Sequence, residues 1–526
     1  MDKIEIFNHK YYIDAGGLFI YNEKDIPIYL NSEKIRNEIN DKIEENFLKD
    51  IDSKNKNNKV LEIYLKSSNR CNLRCSYCFR KERKIEFNEK TVIEFISNII
   101  DKYDCEKIKV DLTGDSEPLM EIPKLKSIID ICNNIGKEKG VEFVYGLNSN
   151  GTVFDEKIKE FLYNNSILFG FTYEGVSLEK NKRIYNNGQA AVDDVEKNIR
   201  KYNLNNNKLF GISMTLTSEH NDLVKEYKKL LELCNAVSMR IVNTFDELGV
   251  NVNNLKDWKR KYDELAIFLL NSIKEKKYDI VVPILRSRDF FGSFFQTILF
   301  NVKKNQPCLA GYRQFFLNYD GCVYLCSWGC DDERYKMGEQ SILDFEKVKL
   351  YENRTVNDSE GCNKCDFKYI CGGECHIIGG KDVNLDAWCD LKRHLIGLAI
   401  HIVDWMNKHD EEGKKILMES ISSNMYCDSI EDYIKVSMEI FEKFHIGKGA
   451  NIIKNEIDCV DCGPEFEIFY EYLKENGLKV GRYIKCKDNK NAIFVLHEKI
   501  SGYNKYKIIL KEEITKNNEK NIICVG

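Results

Sequence analysis

Three cysteines near the start of the chain have the spacing of a metal-cluster loop. Cys71, Cys75 and Cys78 follow a predicted strand at residues 61–66 in the pattern C-x3-C-x2-C, with Tyr77 before the last cysteine. Three thiolates on one tight loop can bind three irons of a [4Fe–4S] cube and leave the fourth iron open to a ligand. A structural zinc site is the alternative, but it needs four ligands, and no fourth stands nearby in the sequence.

A second group of cysteines lies between residues 308 and 389, which hold nine of the twenty cysteines in the chain. The spacing is C-x12-G-x4-C, then C-x2-C-x5-C-x3-C, then a final cysteine. These cysteines are Cys308, Cys326, Cys362, Cys365, Cys371, Cys375 and Cys389, and Cys322 and Cys330 flank Cys326. Eight thiolates would close two [4Fe–4S] clusters, and a pair of zinc knuckles is the alternative. Few long apolar runs occur here, which predicts that metal rather than an apolar core organises this stretch.

Charge and composition limit the possible partners and the compartment. Lys and Arg number 79 against 84 Asp and Glu, a net charge of −5, so no basic field would draw the protein to nucleic acid or to an anionic membrane. Residues 1–5 are charged and lack the apolar region of a signal peptide, and the longest apolar run, 394–406, is too short to span a bilayer. We therefore predict a cytoplasmic protein whose clustered cysteines bind metal rather than form disulfides.

Alternating strands and helices between residues 60 and 300 would position the first cysteine loop. Strands are predicted at 61–66, 108–113, 142–148, 168–173, 209–216 and 237–243, and amphipathic helices at 91–103, 155–163, 193–202 and 221–233. Repeated βα units of this kind build a parallel sheet, and six strands predict a partial (β/α)6 TIM-like barrel. In such folds the loops at the carboxyl ends of the strands converge and carry the chemistry.

The pattern divides this α/β chain into four regions. They are an N-terminal β-rich wing (1–55), the barrel (60–300), a cysteine-rich region (301–406) and a C-terminal α/β domain of unknown role (410–526). In the wing, strands are predicted at 4–7, 11–14 and 18–21, and a helix from residue 32. In the C-terminal domain, helices are predicted at 411–420, 430–444 and 465–476, and strands at 492–496 and 506–510. Its Cys459, Cys462, Cys486 and Cys524 could bind metal, although free thiols are the simpler interpretation.

The first cysteine loop resembles the defining motif of the radical S-adenosylmethionine (SAM) superfamily. The resemblance extends over residues 61–300. It implies that SAM binds the open iron and that one electron from the cluster cleaves SAM to a 5′-deoxyadenosyl radical. This radical abstracts hydrogen from an unactivated carbon, while the protein supplies positioning and excludes water. A low-potential donor such as ferredoxin or flavodoxin would provide the electron.

Three further segments resemble SAM-binding strand ends of that superfamily. Residues 113–119 resemble its GGEP loop, in which Gly114 would let the backbone approach the ligand and Glu117 would accept from the methionyl ammonium. Residues 148–152 resemble its TNGT segment, and residues 172–175 occupy the place of its S-x-D-G segment. The candidate SAM-binding residues are Gly114, Glu117, Asn150, Thr172 and Arg183. Without the resemblance, these segments would be ordinary turns and helix caps.

The second cysteine group resembles the SPASM extension found in superfamily members that modify peptides and proteins. The resemblance implies two auxiliary clusters with interleaved ligands, and hence three [4Fe–4S] clusters in all. Cys308, Cys326 and Cys375 would hold the first, and Cys362, Cys365, Cys371 and Cys389 the second. The fourth ligand of the first would be Cys322 or Cys330, or the position would stay open to a substrate thiolate.

Auxiliary clusters suit a reaction in which the substrate loses a hydrogen atom and then an electron. The first hypothesis is a maturase of a ribosomally made precursor peptide, forming a thioether or C–C cross-link or oxidising a side chain. The wing could pair with a leader peptide as an extra strand, or could merely cover the barrel. The alternatives are an anaerobic sulfatase-type maturase forming formylglycine, which would carry Asp in the place of Ser327, and a non-catalytic iron–sulfur electron-transfer protein. The sequence identifies no general acid or base.

Overall fold

A computed structural model of the protein describes most of the chain up to residue 421 and four strands beyond it. The described residues are 2–14, 17, 19–22, 27–30, 60–66, 70–78, 88–103, 105–114, 116–177, 181–204, 209–244, 246–287, 289–300, 304–379, 385–421, 484–485, 493–500, 503–510 and 524–525. The predicted helices at 430–444, at 465–476 and from residue 32 lie outside these residues, as do Cys459, Cys462 and Cys486.

Six parallel strands form the centre of the molecule. They are β5 (Val60–Leu65), β6 (Lys107–Asp111), β7 (Glu142–Ser149), β8 (Leu168–Tyr173), β9 (Phe210–Leu216) and β10 (Val237–Ile241). Each strand pairs in parallel with the next one along the chain. This confirms the predicted α/β fold class, and it brings the carboxyl ends of all six strands to one edge.

Helices follow the strands and cover the sheet. They are α1 (Glu89–Lys102), α2 (Ile122–Lys139), α3 (Glu156–Asn164), α4 (Val192–Lys201), α5 (Leu223–Leu233), α6 (Leu255–Lys274), α7 (Tyr278–Leu285) and α8 (Phe290–Leu299). In α1, the Asn88 side chain accepts the backbone N–H of Lys90 and so caps the helix. Its buried residues Val92, Phe95 and Ile99 recur at helical spacing, which forms an apolar stripe that packs on the core.

The cysteine-rich region extends the same sheet. Its strands are β11 (Gln314–Leu317), β12 (Val323–Tyr324), β13 (Lys336–Glu339) and β14 (Ile342–Leu343), followed by α9 (Phe345–Asn353), α10 (Lys368–Cys371) and α11 (His376–Gly379). β11 pairs in parallel with β5, and β12 to β14 continue antiparallel. Phe315, Leu317 and Val323 are buried in the core shared with the barrel. The prediction that metal rather than a core organises this region is therefore wrong, because short apolar segments here complete an existing sheet.

The wing is a four-stranded antiparallel sheet in chain order. Its strands are β1 (Asp2–Ile6), β2 (His9–Asp14), β3 (Phe19–Asn22) and β4 (Pro27–Leu30), the last of which the sequence did not predict. The sheet packs on the long helix α12 (Asp386–His409). A Cβ on Gly397 of α12 would lie 2.6 Å from the Ile4 side chain and 2.9 Å from the Ile6 side chain, so a larger residue here would require these side chains to move.

Buried polar contacts fix the wing on α12. The Tyr11 hydroxyl lies 2.7 Å from Nδ1 of His401, and the Asn22 amide donates to Asp404 at 3.2 Å. Lys408 also pairs with Asp404, at 2.6 Å, and the Tyr11 hydroxyl lies 3.4 Å from the same buried carboxylate, which thus has three partners. These contacts link the first strands of the chain to the helix that follows the cysteine-rich region.

Acid should loosen this contact, because burial lowers the pKa of His401 to about 4, with His9 adding to the shift and Asp404 opposing it. The unfolded chain binds the proton near pH 6.5. The contribution of His401 to stability is thus present above about pH 6.5 and lost as the pH falls towards 4. Between pH 7 and pH 5, we expect wild type to lose about 2 kcal/mol more unfolding free energy than His401→Gln does in urea titrations. His409→Gln, at an exposed position of the same helix, should lose as much as wild type. Equal losses in all three proteins would contradict the prediction.

The last described elements follow α12. α13 (Glu411–Ile421) packs against α12 and α7, and the Tyr278 hydroxyl donates to Asp410 at 2.7 Å just before α13 begins. Further on, β16 (Ile493–Ile500) and β17 (Tyr503–Leu510) form an antiparallel hairpin, and β15 (Ile484–Lys485) pairs with β18 (Cys524–Val525). The hairpin confirms the two strands predicted there. No helix in the described part of the chain has the length and apolar character needed to cross a membrane.

Candidate functional site

The first cysteine loop leaves β5 at its carboxyl end and is held by a second segment of backbone. Leu73 forms an antiparallel bridge with Tyr185, and the Arg74 N–H donates to Ile184 O at 2.7 Å. The Ser76 N–H donates to Lys182 O at 3.1 Å. A loop without regular structure thus gains backbone partners along one side, which restricts where its three thiols can lie.

Asn150, at the end of β7, holds the other side of the loop. Its Nδ2 donates to Asn72 Oδ1 at 2.7 Å and lies 3.8 Å from the Cys71 sulfur. Its Oδ1 accepts from the Thr152 N–H at 3.0 Å. The Asn150 side chain therefore links the end of β7 to the cysteine loop that follows β5. Its N–H points toward the Cys71 sulfur, which suits a thiolate because a thiolate accepts hydrogen bonds.

Glu117 ties the second strand end to the third. Its carboxylate is buried and accepts from the Leu119 N–H, the Ser149 hydroxyl and the Asn150 N–H. Its own N–H donates to Arg70 O at 2.9 Å, just before the cysteine loop. A carboxylate has about four acceptor positions, so one remains for a further donor. Burial raises the pKa of this carboxyl, and these hydrogen bonds oppose the rise.

Gly114 lies where the chain leaves β6. Its φ is +56°, a conformation that favours glycine, and a Cβ would lie 3.1 Å from the backbone of Lys66. The absence of a side chain therefore lets this turn approach the end of β5, next to the cysteine loop.

The fourth strand end is built around Glu174, which follows Thr172 at the carboxyl end of β8. Its buried carboxylate accepts the backbone N–H of Arg183 at 2.9 Å and also that of Lys182. His220 is buried and accepts the Thr217 N–H on Nδ1, so its Nε2–H donates to Glu174 O at 2.7 Å. These contacts position the segment that pairs with the cysteine loop.

Glu226 of α5 supports the same loop, a role that the sequence alone did not reveal. Its carboxylate accepts the N–H groups of Val176 and Ser177, at 2.9 and 2.6 Å. A Cβ on Gly175, whose φ is +105°, would lie 2.5 Å from this carboxylate. Helical spacing placed Glu226 on α5, but only the fold shows that this acidic residue is turned inward.

Arg183 brings positive charge to the cysteine loop. Burial raises the pKa of Cys75, Arg183 opposes this rise, and Cys78 and Cys71 add to it. Burial likewise raises the pKa of Tyr77, and Arg183 opposes this rise. The three thiols are thus close enough to act on one another, and the Arg183 guanidinium favours the thiolate form of Cys75.

Several buried polar atoms around this edge have no hydrogen-bond partner among the described residues. They are Tyr77 OH, Ser116 Oγ, Ser177 Oγ and Arg183 Nε, although Tyr77 and the Arg183 guanidinium lie close enough to interact with each other. Buried polar groups are usually paired, so these atoms are available to a polar ligand. These atoms lie on the cysteine loop and beside the second and fourth strand ends, and the donor set fits both a thiolate-bound cluster and a ligand rich in polar groups such as SAM.

A first set of cysteines comes together in the cysteine-rich region. The pKa of Cys308 is raised to about 12 by burial, and Cys375 and Cys326 add to the shift. Burial and Cys375 also raise the pKa of Cys326 to about 11. The fold therefore gathers three thiols that are far apart in sequence, in the grouping that the resemblance implied.

Cys322 and Cys330 flank Cys326 and both act on the pKa of Tyr324 in β12. The charges acting on Cys322 are those of Asp320, Lys336 and Glu339. The structure thus places both cysteines near Tyr324.

The second set consists of the remaining four cysteines. The pKa of Cys362 is raised to about 11 by burial and by Glu374, and Cys371 and Cys389 add to the shift. Cys371 and Cys365 likewise act on Cys389. The two sets are joined by the short segment 371–375, which carries Cys371 of the second set at one end and Cys375 of the first at the other.

A cavity of about 230 Å³ lies beside Cys375. Arg354 and His376 line it, and the His376 ring meets the Tyr351 ring edge-on at 5.3 Å. Burial lowers the pKa of His376 to about 4, and Arg354 adds to this shift. A neutral imidazole and a guanidinium thus face the space next to the first set.

No group of three or more His, Cys, Asp or Glu side chains in the described residues could hold a single metal ion. The thiolates of a [4Fe–4S] cube bind different irons at its corners. They therefore stand farther apart than the donors of one ion, which must all converge on the same atom.

Residues 65–234 match the family model of the radical SAM superfamily. These residues are a radical SAM domain. The superfamily binds a [4Fe–4S] cluster and SAM, in agreement with the cysteine loop and the unpaired polar atoms around it. The matched residues run from the last residue of β5 to the end of α5, so they include the cysteine loop and the second, third and fourth strand ends described above.

Curated relatives share this domain at low identity. The chain is 23% identical over 420 residues to the radical SAM cyclopropyl synthase TigE of Paramaledivibacter caminithermalis, covering 70% of this chain and 82% of the relative. It is 22% identical over 340 residues to a cysteine-type anaerobic sulfatase-maturating enzyme of Clostridium novyi, covering 60% of this chain and 88% of the relative.

A solved structure has the same fold. The structure of anSMEcpe with bound AdoMet and Cp18Cys peptide superposes with a TM-score of 0.54 and 19% identity, covering 66% of this chain and 99% of that one. At this identity the likeness concerns the fold alone.

Proposed function

We propose that the protein is a radical SAM maturase of a ribosomally made peptide, in which it forms a thioether or C–C cross-link or oxidises a side chain. The observation that carries the proposal is the pair of thiol sets, Cys308 with Cys326 and Cys375, and Cys362 with Cys365, Cys371 and Cys389. A radical SAM domain needs only its own three cysteines to cleave SAM. Seven more thiols gathered in two sets next to it favour a reaction that also removes an electron from its substrate.

We assign the SAM-binding cluster to Cys71, Cys75 and Cys78. When bound there, cluster and SAM together supply a 5′-deoxyadenosyl radical. The chain's own part is to bind and orient SAM. Gly114 permits close approach, Glu117 has one acceptor position left, and the unpaired Arg183 Nε can donate to a carboxylate, while Asn150 and Thr172 are the candidates at the third and fourth strand ends.

We assign the two remaining [4Fe–4S] clusters to the two thiol sets, which makes three clusters in all. The fourth position of the first set would be filled by Cys322 or Cys330, both of which act on Tyr324 nearby, or would stay open to a substrate thiolate. In the proposed reaction the substrate loses one hydrogen atom to the adenosyl radical. It then loses one electron and one proton as the new bond forms.

A peptide is the proposed substrate, and the wing supports this assignment. The solved relative named above carries a bound peptide. In this chain, β1 and β4 are the edge strands of the wing, and edge strands can pair with an extended peptide. A low-potential donor such as ferredoxin or flavodoxin would supply electrons, and a reducing cytoplasm suits three oxygen-sensitive clusters.

The test is an anaerobic reaction with defined peptides. Reconstituted enzyme, SAM and dithionite are incubated with any small Cys-rich peptide found encoded beside its gene and, separately, with a peptide carrying a sulfatase motif. We expect 5′-deoxyadenosine in both reactions, and loss of two hydrogen atoms by mass spectrometry only in the first peptide. Formylglycine in the second peptide would overturn the proposal in favour of a sulfatase maturase. Failure to cleave SAM would favour a non-catalytic iron–sulfur protein.

Formylglycine formation is the second candidate because one observation favours it. The chain resembles a cysteine-type anaerobic sulfatase-maturating enzyme over 88% of that relative's length. Against it stands Ser327, which directly follows Cys326 and begins a short 3₁₀ turn, at the position where the resemblance predicts an aspartate. A hydroxyl cannot replace a carboxylate as a base near neutral pH, so we rank this candidate second.

A further inference from the structure

Positively charged side chains from two parts of the chain lie against the second thiol set. The closest contact is that of Arg393 on α12, whose Nη2 lies 4.0 Å from the Cys365 sulfur. Its Nη1 pairs with Asp390 at 3.2 Å on the same helix. One edge of the guanidinium is therefore held by a carboxylate while the other faces a thiol.

Lys392 is the second of these cations. Cys389, Lys392 and Arg393 stand three and four residues apart on α12, and residues at this spacing share one face of a helix. Burial raises the pKa of Cys389, and Lys392 and Arg393 both oppose the rise. The helix thus presents one thiol and two cations to the same space.

Lys304 is the third and lies before β11. Its ammonium group donates to the Ser293 hydroxyl at 2.6 Å, and the Cys371 thiol acts on its pKa. Two carboxylates also lie nearby: Glu374 acts on the pKa of Cys362, and Asp390 pairs with Arg393. Lys304, Lys392 and Arg393 thus bring positive charge to the second set from two parts of the chain.

The first set has different surroundings. The charged groups that act on Cys308 are Cys375, Cys326 and Glu62, all of them acidic. Arg334 and Arg354 line the cavity at Cys375, and Arg334 is paired with Asp332. In the second set, by contrast, a guanidinium lies within hydrogen-bonding distance of a thiol sulfur.

We infer that Arg393, assisted by Lys392 and Lys304, raises the reduction potential of the second auxiliary cluster. The inference rests on the ligands assigned under the proposed function. A [4Fe–4S] cube gains one negative charge on reduction, so nearby cations stabilise its reduced form, and a hydrogen bond to a thiolate sulfur acts in the same direction. A cluster that is easier to reduce is a better acceptor for the electron that the substrate radical releases. Arg393 therefore acts on the reaction through the cluster and need not touch the substrate.

The test is a potentiometric titration of the full-length, reconstituted protein followed by electron paramagnetic resonance. Arg393→Gln should make reduction of one cluster about tenfold less favourable, which is about 59 mV for one electron, and leave the other two unchanged. Arg393→Lys should restore most of the shift. Asp390→Asn should move the same cluster in the opposite direction, a reversal that a purely structural role would not produce.

Arg260→Gln is the matched control. Arg260 on α6 pairs with Asp257 three residues earlier, as Arg393 does with Asp390, and has a similar side-chain exposure of 49% against 44%. It should leave all three potentials unchanged. Three unchanged potentials in Arg393→Gln, with about twelve irons bound, would overturn the inference alone. About eight irons in the wild-type protein would overturn the assigned ligands, and with them the inference.

Discussion

Replacing Cys71 with alanine should abolish formation of 5′-deoxyadenosine. Cys71 stands at the start of the loop, where the Asn150 amide lies 3.8 Å from its sulfur, and two thiols remain when it is lost. A cube held by two ligands is labile, and without it no electron reaches SAM. We expect a fall of at least about a thousandfold, which corresponds to about 4 kcal/mol of activation free energy. The measurement is 5′-deoxyadenosine by chromatography after anaerobic reduction with dithionite.

Iron content and a matched variant make this result specific. Wild type should bind about twelve irons and Cys71→Ala about eight, since each cube holds four. Cys132→Ala removes a thiol that is fully buried in α2 and belongs to none of the three groups, so it should retain both iron and activity. Undiminished SAM cleavage by Cys71→Ala would refute the assignment of this loop.

Replacing Cys375 with alanine should separate SAM cleavage from product formation. Cys375 belongs to the first set, whereas Cys371, four residues earlier, belongs to the second. Its loss leaves two thiols in the first set, so that cluster should be lost and the other two retained. We expect about eight irons, SAM cleavage within about threefold of wild type, and at least about a hundredfold less modified peptide, because the electron has lost its acceptor.

The same iron measurement can decide the fourth ligand of the first set. If the fourth position is open, Cys322→Ala should keep about twelve irons. If Cys322→Ala instead lost iron as Cys375→Ala does, an open position in the first cluster would be excluded. Retention of twelve irons by Cys375→Ala would contradict the interleaved grouping itself.

Much of the barrel could be predicted because its signals are local. The predicted strand at 168–173 coincides with β8, and those at 142–148 and 209–216 differ from β7 and β9 by one residue. Helix α3 was predicted within one residue at each end, since Asp155 caps it through the Ile158 N–H. Such strands and helices are set by the period of their own apolar residues.

The elements that were missed depend on partners far away in sequence. β4 is a short edge strand whose pairing with β3 contains an irregular register, which leaves little pattern to detect. The apolar core of the cysteine-rich region was missed because β11 has only four residues and gains its stability from β5, about 250 residues earlier. Nothing within such a segment indicates that it will pair with the edge strand of an existing sheet.

The site shows the same division. The three-cysteine loop and the second cysteine pattern are defined by spacings within the chain, so the sequence by itself determined that these cysteines could bind clusters. It also determined that six βα units would position the first cysteine loop. Only the tertiary structure decided that Glu226 and His220 support the fourth strand end, because a buried polar residue cannot be told from an exposed one by type alone.

The positions of the seven later thiols depend on the tertiary structure. Cys371 and Cys375 are only four residues apart, but the segment between them carries Gly372 and Gly373 at φ of +78° and +94°, which only glycine adopts readily, and the chain turns. Cys375 thus lies with Cys308 and Cys326, while α12 brings Cys389 and Arg393 to the second set. The sequence determined which thiols were available, and its resemblance to a family implied how they would be grouped. The packing of distant segments decided which charged side chains surround each set.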